Sequence, residues 1–277
     1  MARGITHRRS VMQDVRPAAV AGMFYPSAPE RLAGDIRSYL SRAPGRELGT
    51  PKALIVPHAG YVYSGPIAAS AYALVAPLRD TVKRVLLLGP AHRVAVRGLA
   101  TTGAGAFDTP LGEVAIDTVA VAMALAFPQV TVSDAAHAFE HALEVQLPFL
   151  QTVLRSFSLV PFAVGHVLDE DVAQVIDALW GGPETLVVVS SDLSHYHAYA
   201  EAKRIDHATT ETILAMSPTL DHEQACGATP INGLLRCARQ RGLAPALLDL
   251  RNSGDTAGDR ARVVGYASFA FTHDAGN

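Results

Sequence analysis

The sequence predicts an α/β fold in a single domain, a largely parallel central sheet with helices on both faces. Three observations carry this. The runs Ala53–Val56, Val85–Leu88, Leu159–Val164 and Leu186–Val189 are continuously apolar rather than alternating, the pattern of strands buried on both faces. Segments of helical periodicity separate them. Each run then gives way to a turn-forming stretch that carries a histidine: His58, His92, His166 and His195. Sheets of this kind bind ligands beyond the carboxyl ends of their strands, which is where these four imidazoles fall.

Composition narrows the function classes. The 277 residues are 49% hydrophobic and 18% charged, a globular balance with enough chain to bury a large core. A net charge of −3 gives no electrostatic reason to expect nucleic acid as a partner. No apolar run approaches the roughly 18 residues of a membrane span, so no membrane association is expected. Met1 to Gln13 is basic, with Arg3, Arg8 and Arg9, and lacks the apolar centre of a signal peptide. Residues 1–15 therefore read as a flexible tail ahead of a domain over 16–277, and the location as cytoplasmic. The two cysteines, Cys226 and Cys237, are too few and too widely spaced for a disulfide framework or a C-x-x-C pair.

In chain order, Ala18 to Pro26 reads as an ordered loop. Leu32, Ile36 and Leu40 mark one face of a helix over 29–42. After a polar link, a strand is expected over 53–57. A helix follows over 66–75, with Pro66 in its first turn. Strands are expected over 84–89, 99–102, 114–116 and 130–132, with Asp117 capping a helix over 118–126. A long helix is expected over 138–157, disturbed by Pro148. Next come a strand over 158–164 and a helix opening at Asp169, closed by Gly181-Gly182-Pro183. A strand over 185–190, helices over 198–215 and 229–240, and strands over 247–251 and 263–271 complete the chain, with Asn252 to Asp255 as a turn.

Several residues at the expected binding edge could do chemistry. Neutral imidazole is the commonest metal ligand, and His58 and His92 sit in short Gly/Pro-flanked loops after strands expected to be neighbours. His166, in a plain Gly-His-Val, reads as structural. Asp192 and His195 lie three apart after a strand, where the carboxylate could orient the imidazole as a general base; a helix cap followed by a surface histidine is the alternative. Cys226 precedes the helix at 229, whose N-terminus would lower its pKa and favour the thiolate. Cys237, in mid-helix, reads as a small buried hydrophobe. His137-Ala138-Phe139-Glu140-His141 matches the H-x-x-E-H pattern of inverted zinc peptidases, with Glu211 as a third ligand. The strand-end histidines have no place in a peptidase of that kind, so a capped helix start, or a segment lining the same pocket, is the preferred account.

A collinear series of segments resembles the Memo family, known in prokaryotes as AmmeMemoRadiSam system protein B. These are Ala18–Pro26, Pro57–Gly65, Leu88–His92, Phe107–Gly112, Glu140–Leu150, Ser190–Tyr196, Cys226–Ile231, Asn252–Asp255 and Val264–Tyr266. The resemblance implies an αβα sandwich similar to the LigB-type class III extradiol dioxygenases, which use non-haem Fe(II). It places metal ligands at His58, His92 and Cys226, and an acid/base pair at His195 and Asp192. Tyr61, Tyr63, Glu140, His141 and Asp255 are expected to contact substrate. Where those dioxygenases have a glutamate ligand this chain has Cys226, a softer donor that suits Fe(II) or copper. The implied function is dioxygenase-related redox chemistry, that of an oxidoreductase, on a small-molecule or peptide substrate. The family name also implies Ammecr-type and radical-SAM protein partners. Two other readings use the same residues. One is a non-catalytic module binding a peptide or small anion through Tyr61, Tyr63 and Arg16. The other is a cysteine hydrolase with Cys226 as nucleophile and His195 as base.

Overall fold

A computed structural model describes residues 14–273. Its strands are β1 (Val15–Arg16), β2 (Pro51–Val56), β3 (Arg84–Pro90), β4 (Leu99–Thr101), β5 (Ala106–Phe107), β6 (Val114–Ala115), β7 (Val130–Val132), β8 (Ser158–Val164), β9 (Thr185–Ser190), β10 (His195–His197), β11 (Leu243–Asn252) and β12 (Val263–His273). The helices are α1 (Pro29–Arg42), α2 (Tyr61–Tyr72), α3 (Thr118–Ala124), α4 (Asp134–Ala138), α5 (His141–Glu144), α6 (Leu147–Val153), α7 (Asp169–Ala178), α8 (Tyr199–Leu214) and α9 (Ala228–Gln240). Of the tail expected over 1–15, only Asp14 and Val15 are among the described residues, and Val15 already pairs with Ala106.

The four continuous apolar runs form the parallel centre of one nine-stranded mixed sheet, in the order β2-β9-β3-β8. Their residues are buried almost throughout, as strands covered on both faces must be. Antiparallel strands flank this centre: β12 against β2, with β11 and β10 against β12, and β4 against β8, followed by β7. The result is the expected αβα sandwich, with a sheet mixed at its edges. One expectation changes. β2 and β3 are not neighbours, because β9 lies between them. The loop that carries Asp192 and His195 therefore leaves the sheet between the loops that carry His58 and His92.

Two local differences shape the binding edge. The helix expected from Pro66 begins at Tyr61, only three residues after His58. Its first amide is taken by the Phe24 carbonyl at 2.8 Å, and Ser64 Oγ donates back to the Ala59 carbonyl at 2.9 Å. Pro66 lies inside the helix, where it has no N–H to donate to the carbonyl of solvent-exposed Val62. The helix expected over 138–157 is three short pieces, α4, α5 and α6. Glu140 caps α5 by accepting from the Ala142 amide at 2.9 Å, and Pro148 starts α6. That break turns Glu140 and His141 toward the sheet edge.

Candidate metal centre

His58 leaves the end of β2, and its environment fixes its tautomer. The Tyr72 hydroxyl donates to Gln146 Oε1 at 2.8 Å, so the Gln146 amide nitrogen points the other way, to the Pro57 carbonyl at 3.0 Å and Ser190 Oγ at 2.8 Å. Ser190 gives its single hydroxyl proton to the Ala142 carbonyl at 2.6 Å. Only acceptor capacity remains on that hydroxyl, so His58 Nδ1, 3.0 Å away, must be the donor. Nε2 then carries the lone pair, and it faces Cys226 Sγ at 3.4 Å. Complete burial, with the His92 imidazole alongside, holds His58 at about 3, so it is neutral at ordinary pH.

His92 is fixed in the same sense by a different group. Glu140 Oε2 accepts from the His92 amide at 2.6 Å, and Oε1 lies 2.9 Å from His92 Nδ1. Burial alone would raise the Glu140 carboxyl. The His92 imidazole and the amides of Ala142 and His92 outweigh it and hold the group at about 2. An ionised carboxylate only accepts, so Nδ1 donates to it, and Nε2 is the nitrogen turned away from Glu140. A carboxylate behind a histidine in this way is the usual outer support of a metal-binding imidazole.

The third imidazole is His141. Its ring lies 4.7 Å from that of His92 and 5.4 Å from that of His58, and one nitrogen from each of the three falls within 4.8 Å of the others. Burial, with the His58 imidazole alongside disfavouring a second positive charge, lowers His141 to about 4. Its Nδ1 is buried and makes no well-aligned hydrogen bond among the described residues, with Glu140 Oε1 3.4 Å away. Three imidazoles with one nitrogen each within 4.8 Å of the others, two of them oriented by their hydrogen bonds, fit a metal ion.

Cys226 approaches His58 through a close contact of backbones and stands outside the three-imidazole group. A Cβ on Gly227 would fall 2.7 Å from that of Ser191, so only glycine lets the turn pack there, and the Gly227 amide donates to Ser191 Oγ at 2.9 Å. The sulfur's hydrogen-bonding neighbours are His58 Nε2, the Asp192 carbonyl and Ser191 Oγ. The depressed thiol expected from the helix N-terminus is not found. Burial, then the Asp192 carboxylate, pushes it up to about 12. A nitrogen and a sulfur bound to one metal at ordinary lengths stand about 3.4–3.6 Å apart, so the 3.4 Å separation already has the spacing of a ligand pair.

The cluster opens on a cavity of about 470 Å³, lined by His58, His92, His141, Asp192 and His195 together with Phe24, Tyr63, Arg93, Tyr196 and Tyr266. Asp192 is buried, and its Oδ1 accepts from the His58 amide at 2.7 Å rather than bonding to His195 as the sequence spacing suggested. Burial raises its pKa, against the pull of that amide and of the imidazoles around it. His195, on β10, is half-buried at the cavity wall.

Other expected residues lie elsewhere. Tyr61 is turned into the core, where its hydroxyl donates to the Val145 carbonyl at 2.7 Å. Asp255 accepts from the Tyr199 hydroxyl and lines a separate pocket of about 260 Å³. Arg16 is buried and cannot serve as an exposed anion contact. His166 lines a third pocket beside Arg97. The H-x-x-E-H segment does not form a peptidase site: His137 Nε2 is bound to the Ala100 carbonyl, and Glu211 is exposed on α8. A larger cleft of about 730 Å³ between α7 and α9 contains no imidazole or thiol in its lining. Ser190, Arg93 and Tyr266 escaped the sequence reading. Arg93 was marked only by following His92, and the other two only by lying at the ends of the family-like segments Ser190–Tyr196 and Val264–Tyr266.

The family model for Memo-like proteins matches residues 16–270. A MEMO1 family protein of Aquifex aeolicus is 34% identical over 273 residues, covering 93% of this chain and 99% of its own. One of Aeropyrum pernix is 37% identical over 275 residues, covering 91% and 98%. Among solved structures, the uncharacterized protein JW3007 of Escherichia coli K12 aligns with a TM-score of 0.52 at 14% identity, over 78% of this chain and 98% of that one. That likeness shows a shared fold.

Proposed function

Because the chain belongs to the Memo family, we propose that it is a non-haem metal protein in which His58, His92 and Cys226 hold Fe(II) or copper, with His141 as a further imidazole at the same centre. The observation that carries this reading is the convergence of three imidazoles, two of them oriented by hydrogen bonds at Nδ1, with a thiol 3.4 Å from one of them. Two nitrogens and a soft sulfur suit iron or copper. Such an ion, when bound, supplies one-electron and oxygen-dependent chemistry.

The protein's own groups do the rest. Glu140 and Ser190 keep the two imidazole donors turned inward. The cavity takes a small molecule or one side chain of a peptide, and Tyr63, Phe24, Tyr196 and Tyr266 give it aromatic walls. His195 moves a proton between that cavity and solvent. Asp192, with its raised pKa, serves as a second proton-holding group on the same wall. The cysteine-hydrolase reading is disfavoured because His195 is not among the hydrogen-bond partners of Cys226, and because its thiol is held protonated.

Metal analysis of the full chain purified without oxygen tests the proposal. About one equivalent of iron or copper is expected, and a His58→Ala variant should retain little of it. Equal metal content in the two proteins would overturn the reading.

A further inference from the structure

We infer that the segment from Arg16 to Tyr25 is a positioning strap for the metal-binding imidazoles, with Arg16 as its anchor; this rests on the metal-site reading above. A continuous helix through residues 137–144 would use the carbonyls of His137 and Glu140 to accept from amides four residues on. The chain instead breaks there: the His137 carbonyl accepts from the Glu140 amide in a tight turn, and the Arg16 guanidinium adds a side-chain donor to each of the two carbonyls. Nε donates to the His137 carbonyl at 2.9 Å and a terminal nitrogen to the Glu140 carbonyl at 2.8 Å. The other terminal nitrogen pairs with Glu144, at the end of α5. One buried side chain thus holds both sides of the break that points Glu140 at His92 and His141 into the cluster.

The strap is tied at its far end as well. Glu144, fully buried, also accepts from the amides of Ala19 and Val20 at 2.8 and 3.0 Å and from the Tyr25 hydroxyl. Between these ties the Phe24 ring lies 4.7 Å from that of His141, and the Phe24 carbonyl takes the first amide of α2, just past His58. The strap therefore touches both the His58 loop and the His141 break. A lysine at position 16 would keep the charge opposite Glu144. It cannot reproduce a planar fork that reaches two carbonyls and a carboxylate at once.

Cobalt(II) titration of the full chain, followed by absorbance, tests this together with the thermal midpoint. Arg16→Lys is compared with core variants beneath α7, Val172→Ala and Val175→Ala, chosen to match its loss of Tm. We expect Arg16→Lys to weaken the cobalt Kd at least about tenfold, the scale of outer-shell losses, and the matched controls to change it no more than about twofold. Cobalt binding by Arg16→Lys equal to that of the controls, with wild-type binding still dependent on His58, would overturn the strap and leave the metal reading standing. Wild-type protein that binds no cobalt would overturn both. Should Arg16→Lys fail to fold, Tyr25→Phe removes a single hydroxyl from the same network. A loss of at least about threefold in affinity is expected for it, and unchanged affinity overturns the inference.

Discussion

Glu140 holds His92 at two points, accepting from its backbone amide at 2.6 Å and from its imidazole Nδ1 at 2.9 Å. The pairing fixes where the ring stands and which nitrogen carries the proton. Glu140→Gln keeps the shape but brings an amide NH₂ that cannot accept. Metal affinity should fall about 10–100-fold, measured by cobalt(II) titration. Unchanged affinity would mean that the carboxylate does not govern the ring.

The pH dependence of the metal-free protein has a definite sign. His58 is held at about 3, and His137 and His141 at about 4, below their ordinary 6.5. Between those values and 6.5 the unfolded chain binds more protons than the folded one, so stability falls as pH drops through that window. At pH 5 the loss is about 2 kcal/mol for each such imidazole, large against a typical total of about 5–15 kcal/mol. Glu140, lowered from 4.5 to about 2, adds a contribution present above pH 4.5 and lost as pH falls toward 2. Thermal melts from pH 7.5 to 4.5 should show a steep decline beginning near pH 6.5, whereas a flat profile between pH 7 and 5 would contradict the buried neutral imidazoles.

Cys226 should be a slow nucleophile without metal. With its thiol near 12, the thiolate is scarce at pH 8. Alkylation by iodoacetamide in metal-free protein should be far slower than for a free thiol, with the modified residue located by peptide mass. Rapid stoichiometric labelling of Cys226 would revive the hydrolase reading.

Much of the fold was legible because strands buried on both faces write themselves as unbroken apolar runs, as Leu186–Val189 does. The histidines past those runs were legible for the same reason. Strand order was not, since the apolar runs are interchangeable as neighbours and nothing local says that β9 separates β2 from β3. The break at Glu140 was hidden because the group that braces it is distant: Arg16 lies 121 residues from His137 and adds side-chain donors on both sides of the break. Residue type identified Cys226 but misjudged its charge, because burial outweighs a helix terminus. Asp192 and His195 share a cavity wall. Yet the carboxylate bonds to the His58 amide, a partner 134 residues away.

Ser190 should matter more to metal than to folding. Ser190→Ala removes the acceptor that fixes the His58 tautomer and leaves the Gln146 amide with its bond to the Pro57 carbonyl. A stability loss of about 1–2 kcal/mol is expected from the unmade hydrogen bonds, with a drop in cobalt affinity of about tenfold. Chemical denaturation and titration on the same samples check both. A stability loss with unchanged affinity would remove the tautomer argument.

The most direct measurement is cobalt(II) titration of wild type, His58→Ala and Cys226→Ala, read by absorbance. Wild type should bind about one equivalent and show a thiolate-to-metal charge-transfer band; Cys226→Ala should lose that band, and His58→Ala should lose saturable binding. Saturable binding by His58→Ala equal to wild type, or a spectrum indifferent to Cys226, would contradict the proposed centre.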